Sequence, residues 1–220
     1  MRRMHILITA GPTRESIDSV RFITNGSSGQ MGCAVAKAAL EAGHRVTLLL
    51  GEGARAAMSP AAGLEVVPFV TVDDLRRELT ERFTSADVLV MAAAVGDFWP
   101  ERVLPTKLSR RGGPITLRLV PTEDLLAGVG ATKKPTQRIV AFAVEDGLPD
   151  EIQAKARAEM LEKNADFVVV NTPAAMAASH STACILTREG VAMPWDDRPK
   201  ETLAEDIVNL LSRQDDSVAK

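Results

Sequence analysis

The segment Ile23-Thr-Asn-Gly-Ser-Ser-Gly-Gln-Met-Gly32 carries the chain's clearest chemical signal. Gly26, Ser27, Ser28 and Gly29 are small, so main-chain N–H groups can come close to a ligand. The turn follows a predicted strand over residues 4–10 and opens a predicted helix over residues 30–42, with Ser28 as the expected N-cap. Exposed amides and the helix dipole at such an end attract phosphate. The spacing Gly26-x-x-Gly29-x-x-Gly32 fits neither the dinucleotide fingerprint nor the P-loop. The same residues would equally serve an ordinary strand-to-helix turn. Arg21, four residues before Asn25, either faces the same ligand or forms a surface ion pair.

Two further stretches have chemical potential. Ala92-Ala-Ala-Val-Gly-Asp97 closes the most apolar predicted strand, residues 86–95. Ligands of open α/β sheets bind beyond the carboxyl ends of the strands. Ala92, Ala93 and Ala94 would let a flat base or ribose pack on backbone there. Asp97 is then placed to accept a hydrogen bond or hold a metal, or it simply forms a turn. Residues 98–113 read as a long loop with Lys107, Arg110 and Arg111. A loop of that length is usually functional or disordered. A mobile arm bearing Lys107 suits capture of a triphosphate; the alternative is a solvated basic loop.

The elements that would position these residues follow from apolar periodicity. Strands are expected at 45–50, 64–69, 115–120, 138–144 and 166–170, and helices at 72–83, 123–129, 150–164 and 199–211. A hairpin joins 183–187 to 191–195, after a small-residue loop at 174–182. The first strand, glycine turn, helix and second strand make one βαβ unit with a right-handed crossover. The expected fold is α/β, a doubly wound and mostly parallel sheet with a late hairpin. It forms a single domain over residues 1–212, with a frayed tail at 213–220.

Composition narrows the partners. The 220 residues have a net charge of −3, 4% aromatics and no Tyr, which argues against a nucleic-acid surface. Cys33 and Cys184 do not form a disulfide framework, and three scattered histidines do not complete a metal cluster. No long apolar run marks a signal peptide or membrane span, so a cytoplasmic protein is expected.

Several segments together resemble one family, the phosphopantothenoylcysteine synthetases (phosphopantothenate–cysteine ligases of coenzyme A biosynthesis). They are Ile8-Thr-Ala-Gly-Pro-Thr-Arg-Glu15, Val20-Arg-Phe-Ile-Thr-Asn25, Ser27-Ser-Gly-Gln-Met-Gly32 and Met91-Ala-Ala-Ala-Val-Gly-Asp97 with Lys107. Ala141-Phe-Ala-Val-Glu145, Lys163-Asn-Ala-Asp166 and Val169-Val-Asn171 continue the series. The resemblance implies joining of 4′-phosphopantothenate to cysteine through an acyl nucleotidylate. It implies CTP (or ATP) as co-substrate, Mg2+ with the triphosphate, and a homodimer. A flavin-dependent decarboxylase domain often precedes this unit; 220 residues would leave a free-standing synthetase with a separate decarboxylase partner. Asn25 matches the family's essential asparagine, Arg21 an arginine near the pantothenate substrate, and Lys107 the strap loop over the acyl intermediate. The expected nucleotide site comprises Gly11, Gly26, Ser27, Ser28, Gly29, Ala92, Ala93, Ala94, Asp97, Phe142 and Lys163.

The chain also departs from that pattern. Gln30 stands where a lysine usually follows the glycine turn, and Glu159 where a second lysine is usual. Pro121-Thr-Glu-Asp124 replaces Lys-x-Pro-Asp, and Val170-Asn171-Thr172 replaces Ala-Asn-Asp. Two fewer cations would weaken or redirect triphosphate binding, with Lys155, one helical turn from Glu159, as a compensating charge. The alternative reading is a non-catalytic nucleotide-binding subunit of the same fold. The missing dinucleotide fingerprint counts against an NAD(P)-linked dehydrogenase.

Overall fold

The computed structural model describes residues 2–176 and 178–218. In chain order the elements begin with β1 (His5–Ala10), β2 (Arg14–Ser16), β3 (Phe22–Thr24), α1 (Gln30–Glu41), β4 (Arg45–Gly51), β5 (Leu64–Phe69) and α2 (Val72–Phe83). They continue with β6 (Val88–Met91), β7 (Phe98–Pro100), β8 (Leu119–Pro121), α3 (Leu125–Thr132) and β9 (Arg138–Val144). The last are α4 (Pro149–Glu162), β10 (Phe167–Asn171), β11 (His180–Thr187), β12 (Val191–Pro199) and α5 (Lys200–Val218).

Eight strands form one sheet in the order β12-β11-β10-β9-β6-β1-β4-β5. Within it β5, β4, β1, β6, β9 and β10 run parallel to one another, and the β11–β12 hairpin completes the sheet antiparallel to β10. This is the α/β architecture with a late hairpin that the sequence pattern predicts. Alternation along the strands splits the core in two. Ile6, Ile8 and Ala10 of β1 pack with α1 and α5, whereas Leu7 packs with α2 and α4 on the other face. From β1 the chain runs outward through β4 and β5, then returns to the other side of β1 as β6. The order therefore reverses between β1 and β6, where open α/β sheets bind their ligands.

Helix α1 lies close against β1. A Cβ on Gly32 would meet Ala10 Cβ at 2.5 Å and the Thr9 carbonyl oxygen at 2.8 Å. At the other end of the sheet, α2 starts with a capping box: Thr71 Oγ1 accepts from Asp74 N–H, and the Asp74 carboxylate accepts from Thr71 N–H. Glu15 of β2 also accepts from Val72 N–H at 2.7 Å, which ties the small β2–β3 hairpin to α2.

Several expected boundaries move. The strand expected at 86–95 ends at Met91, because residues 92–95 turn toward Pro12, with which Ala94 forms a bridge. The connector before the glycine turn is the β2–β3 hairpin, and the loop at 98–113 begins with β7, which pairs with β8. The strand expected at 115–120 is correspondingly the short β8. Strand β11 starts at His180 rather than residue 183, with a 3-10 turn at Pro173–Met176 before it. Residue 177 of that expected loop lies outside the described residues. Helix α5 runs to Val218, past the expected end at 211, and residues 219–220 of the expected tail lie outside the described residues. Among the described residues no helix is long and apolar enough to cross a membrane.

Gly32→Ala is expected to destabilise the fold. Helix propensity favours Ala by about 1 kcal/mol, but overpacking against β1 costs about 1–3 kcal/mol. Gly26→Ala, with nothing within 4 Å of the added Cβ, is expected to stay within about 0.5 kcal/mol of the parent. Urea unfolding of both variants checks the contrast.

Candidate functional site

The crevice between β1 and β6 is built from main chain. Ala94 N–H donates to the Gly11 carbonyl at 3.0 Å, and Thr13 N–H donates to the Ala94 carbonyl at 3.2 Å. Two buried threonines bind the same exits: Thr9 Oγ1 accepts from Ala93 N–H and Thr13 Oγ1 from Gly96 N–H, both at 2.9 Å. Gly11 thus lies beneath the crevice rather than on its wall. Its φ of 85° and that of Gly29, 79°, lie in the left-handed region. A Cβ on either would press on Ala54 at 2.9 Å.

The glycine turn leads into α1 with Gly29, not Ser28, as the N-cap. The cap carries no side-chain hydrogen bond; Ser28 Oγ accepts from Gln30 N–H at 3.4 Å. The carbonyl of Ser28 accepts from both Arg55 and Ala56 N–H at 3.0 Å, so the loop after β4 braces the turn from behind.

A cavity of about 710 Å³ opens beside this turn. Its wall brings together Asn25, Gly26, Ala93, Ala94, Asp97, Phe142 and Lys163. A smaller space of about 100 Å³ adjoins it, lined by Ser27, Ser28, Gly29 and Ala92 and sharing Ala93, Ala94 and Phe142. Asn25 is held on one side: Nδ2 donates to the Val95 carbonyl at 3.0 Å. This fixes the sense of the amide and leaves Oδ1 and the second Nδ2–H for a ligand.

Lys163 reaches the cavity from the C-cap of α4, between two carboxylates. Its Nζ lies 3.1 Å from Asp124 Oδ2 and 3.4 Å from Glu159 Oε2. Burial works against the ammonium, but the two carboxylates outweigh it and hold its pKa above the ordinary lysine value. Asp124 also caps α3 by accepting from Ala127 N–H at 2.9 Å. Lys155 is drawn mainly to Glu145, at 2.7 Å, and reaches Glu159 at 4.0 Å. Its compensation for Glu159 is therefore partial.

Two expected site residues lie off the cavity wall. Arg21 pairs with Asp18 at 3.1 Å, and its Nη2 donates to the Leu108 carbonyl at 3.1 Å. Lys107, on the exposed strap, has no hydrogen-bond or ion-pair partner among the described residues. What positions it is Asp18, whose side chain is fully buried. The Asp18 carboxylate accepts from Leu108 N–H at 3.0 Å and from Val20 and Arg21 N–H at 2.8 Å. Those donors, led by Leu108, hold its pKa below the usual carboxylate value of 3.8. Leu104 N–H adds a bond to the Ile17 carbonyl at 3.0 Å. The hairpin turn and the strap are thus one clamped unit.

Thr122 is a site element that no sequence motif marks. Its Oγ1 donates to the Gly96 carbonyl at 2.7 Å and its N–H to the Asp97 carbonyl at 2.9 Å, so it orients the Asp97 turn. Three-residue β8 gives no periodicity that would have announced it.

A family model described as the DNA/pantothenate metabolism flavoprotein C-terminal domain matches residues 1–214. The chain is 38% identical over 216 residues to the coenzyme A biosynthesis bifunctional protein CoaBC of Mycobacterium tuberculosis, covering 94% of this chain and 51% of that protein. It spans about half the length of the curated relatives it matches, between 40% and 53%. The crystal structure of the DNA/pantothenate metabolism flavoprotein from Streptococcus pneumoniae superposes with a TM-score of 0.85 at 25% identity, covering 96% of this chain and 99% of that one. A Cab2 variant in complex with phosphopantothenate-cysteine shares the fold with a TM-score of 0.78 at 20% identity, covering 98% and 88% of the two chains.

The Asp18 clamp sets a pH dependence. Its folded pKa is depressed, so the stability it contributes is present above 3.8 and is lost as pH falls through the lower folded value. Asp18→Asn is expected to remove that acid-side dependence and to release the strap. Trypsin cleavage at Arg102, Lys107, Arg110 and Arg111, followed at neutral pH, should then run several-fold faster than in the parent.

Proposed function

Because the chain belongs to the DNA/pantothenate metabolism flavoprotein C-terminal domain family, we propose that it is a phosphopantothenate–cysteine ligase that consumes a nucleoside triphosphate, in the first instance CTP. The observation that carries this reading is the position of Asn25. It stands on the wall of a cavity shared by the glycine turn, Asp97, Phe142 and Lys163, with its amide oriented by Val95.

In the proposed reaction a carboxylate oxygen of 4′-phosphopantothenate bonds to the α-phosphorus of the nucleotide. The α–β phosphoanhydride bond breaks and pyrophosphate leaves. The amine of cysteine then bonds to the acyl carbon of the nucleotidylate, the acyl C–O bond breaks, the monophosphate leaves and the amine proton passes to solvent. The first step gathers negative charge on phosphate oxygens, which preorganised donors stabilise. The amides of Gly26 to Gly29 and the start of α1 supply such donors, and Lys107 brings a cation on the strap. In the second step Asn25 Oδ1 accepts from the incoming amine, and its remaining Nδ2–H donates to the acyl oxygen.

Mg2+ fits this site as an ion carried by the triphosphate. Among the described residues no three His, Cys, Asp or Glu side chains gather as a cage, and Mg2+ is commonly held by one or two carboxylates, phosphates and water. Three carboxylates line the cavity wall, Asp97, Glu123 and Asp124; Asp124 pairs with Lys163, and Asp97, at the exit of β6, is the one that would hold the ion. When bound, the ion neutralises phosphate charge.

The same reading includes a homodimer. Val20 and Phe22 on the first small hairpin and Phe98, Val103 and Leu119 around the second are between 41% and 59% exposed. Apolar exposure of this kind is typical of interaction surfaces. A separate phosphopantothenoylcysteine decarboxylase would consume the product.

The test is pyrophosphate release from CTP and from ATP with phosphopantothenate, with and without cysteine. Asn25→Asp is expected to keep pyrophosphate release and lose cysteine-dependent product by roughly 10²-fold, the scale of removing one transition-state donor. Lys107→Gln is expected to slow pyrophosphate release itself. Nucleotide binding without release from either triphosphate would replace the ligase by the non-catalytic subunit.

The charge around Lys163 gives a second check. Glu159→Gln is expected to tighten triphosphate binding about two- to fivefold, since exposed ion pairs are worth about 0.2–1 kcal/mol. Titration calorimetry of parent and variant with CTP measures it.

A further inference from the structure

The ligase reading leaves one cation beside the glycine turn without a task. Lys200, the first residue of α5, is 5% exposed. Its N–H donates to the Ser179 carbonyl at 3.0 Å, but its ammonium has no hydrogen-bond or ion-pair partner among the described residues. Lysines are rarely buried unless paired, because an unpaired charge away from water is costly. Glu201 and Glu205 follow on the same helix and Glu41 and Lys37 face the same space from α1. None of the three carboxylates comes within ion-pairing distance of Lys200. Burial lowers the Lys200 pKa accordingly.

The side chain stands between two spaces. One is the cavity of about 100 Å³ at Ser27, Ser28 and Gly29. The other, about 260 Å³, lies behind it between α1 and the loop after β4. Gln30 and Lys200 are the two residues common to both. A neutral amide on the turn and an uncommitted ammonium from α5 thus line the same spaces. The same small cavity also presents an acceptor without a donor, Asn171 Oδ1 at the end of β10, which would accept a hydrogen bond from an ammonium or a ligand hydroxyl rather than bind a phosphate oxygen. The first turn of α1 adds amides beyond Gln30, whose own N–H donates to Ser28 Oγ.

We infer that Lys200 is the cation of a phosphate subsite at the glycine turn, supplied from the C-terminal helix across the cavity from Gln30. The ligand class is a phosphoryl group bound by main-chain amides and one ammonium. It belongs either to the triphosphate of the nucleotide or to the 4′-phosphate of the acid substrate. The assignment rests on the ligase reading for the identity of these ligands. It differs from that reading in placing a sequence-distant helix in the anion site.

The test is titration calorimetry of the full chain with CTP, CMP, inorganic tripolyphosphate and 4′-phosphopantothenate, for the parent, Lys200→Met and Lys200→Arg. Lys200→Met is expected to weaken at least one phosphate ligand tenfold or more, and Lys200→Arg to retain most of the affinity. Loss with CTP and tripolyphosphate together, with CMP within twofold, places the nucleotide's outer phosphates at the subsite. Loss confined to phosphopantothenate places the acid substrate there. Thermal melting without ligand supplies the readout that a structural role would move: the Lys200 ammonium has no partner to lose, so the Lys200→Met melting temperature is expected to hold or rise. Unchanged affinities in Lys200→Met beside normal turnover by the parent overturn the Lys200 assignment alone, as does a fall in melting temperature with affinities intact. A parent that binds none of the four ligands overturns the assignment and the ligase reading together.

Discussion

Main-chain contact where the sheet order reverses is the constraint from which the rest of the structure follows. The exits of β1 and β6 are joined by the Gly11–Ala94 and Thr13–Ala94 hydrogen bonds, and the glycine turn presses on the same place. Gly11 and Gly29 converge on Ala54, and Gly32 lies on β1 itself. Side chains are excluded there by distance, so a ligand entering the crevice meets amides and carbonyls. The polar side chains available to it must come from the rim: Asn25 before the turn, Asp97 after β6, Lys163 from α4. A backbone floor with a side-chain rim is a consequence of close packing at the switch point, not a separate design for binding.

The cations on and around this rim are of two kinds. Arg21 and Lys163 are each held by carboxylates, Asp18 in one case and Asp124 with Glu159 in the other. Such cations are oriented in advance, but an arriving polyanion must compete with their partners. Lys107 and Lys200 are uncommitted, and they differ in solvation. The exposed Lys107 gains little from an anion until the strap covers it, because water screens the pair. Lys200 has most of its side chain covered, so a phosphate oxygen that reaches it interacts in a medium of lower effective dielectric than at the protein surface.

Elements with a sustained period were legible in the sequence. The α1 and α2 boundaries, β1, β4, β5 and β9 fall within a residue of expectation because apolar side chains recur along them at the helical or strand period. Strands β2, β3 and β7 were not legible, since three residues carry no period, and β8 was legible only as the end of a longer expected strand at 115–120. The β2–β3 turn is closed by Asp18 accepting from Val20 and Arg21 N–H, a local signal, but Asp18 also accepts from Leu108, ninety positions away. In the same way Arg21, read as a ligand residue or a surface pair, is paired and also bonded to the strap, which spacing alone does not reveal. The cavity wall gathered most of the residues singled out from the glycine turn and the residues 92–97 stretch. Asp124 beside Lys163 and Lys200 beside Gln30 are long-range encounters, invisible until the sheet order is known.

The Asp18 clamp links these parts physically. The carboxylate is fully buried, and its bonds run both to the turn that leads into β3 and Asn25 and to the strap that carries Lys107. A displacement of the hairpin turn would therefore carry Leu108, and with it the neighbouring lysine. Conversely, a displacement of the strap would carry the turn ahead of Asn25. Two groups that would act in successive steps thus share one buried anchor. The anchor is a network of hydrogen bonds with discrete partners, so it transmits displacement rather than absorbing it. A cation on an untethered loop of that length would lose more conformational entropy each time it was captured. Fixing Leu108 in advance shortens the mobile part to the few residues around Lys107, and leaves the cation free while its neighbour is held.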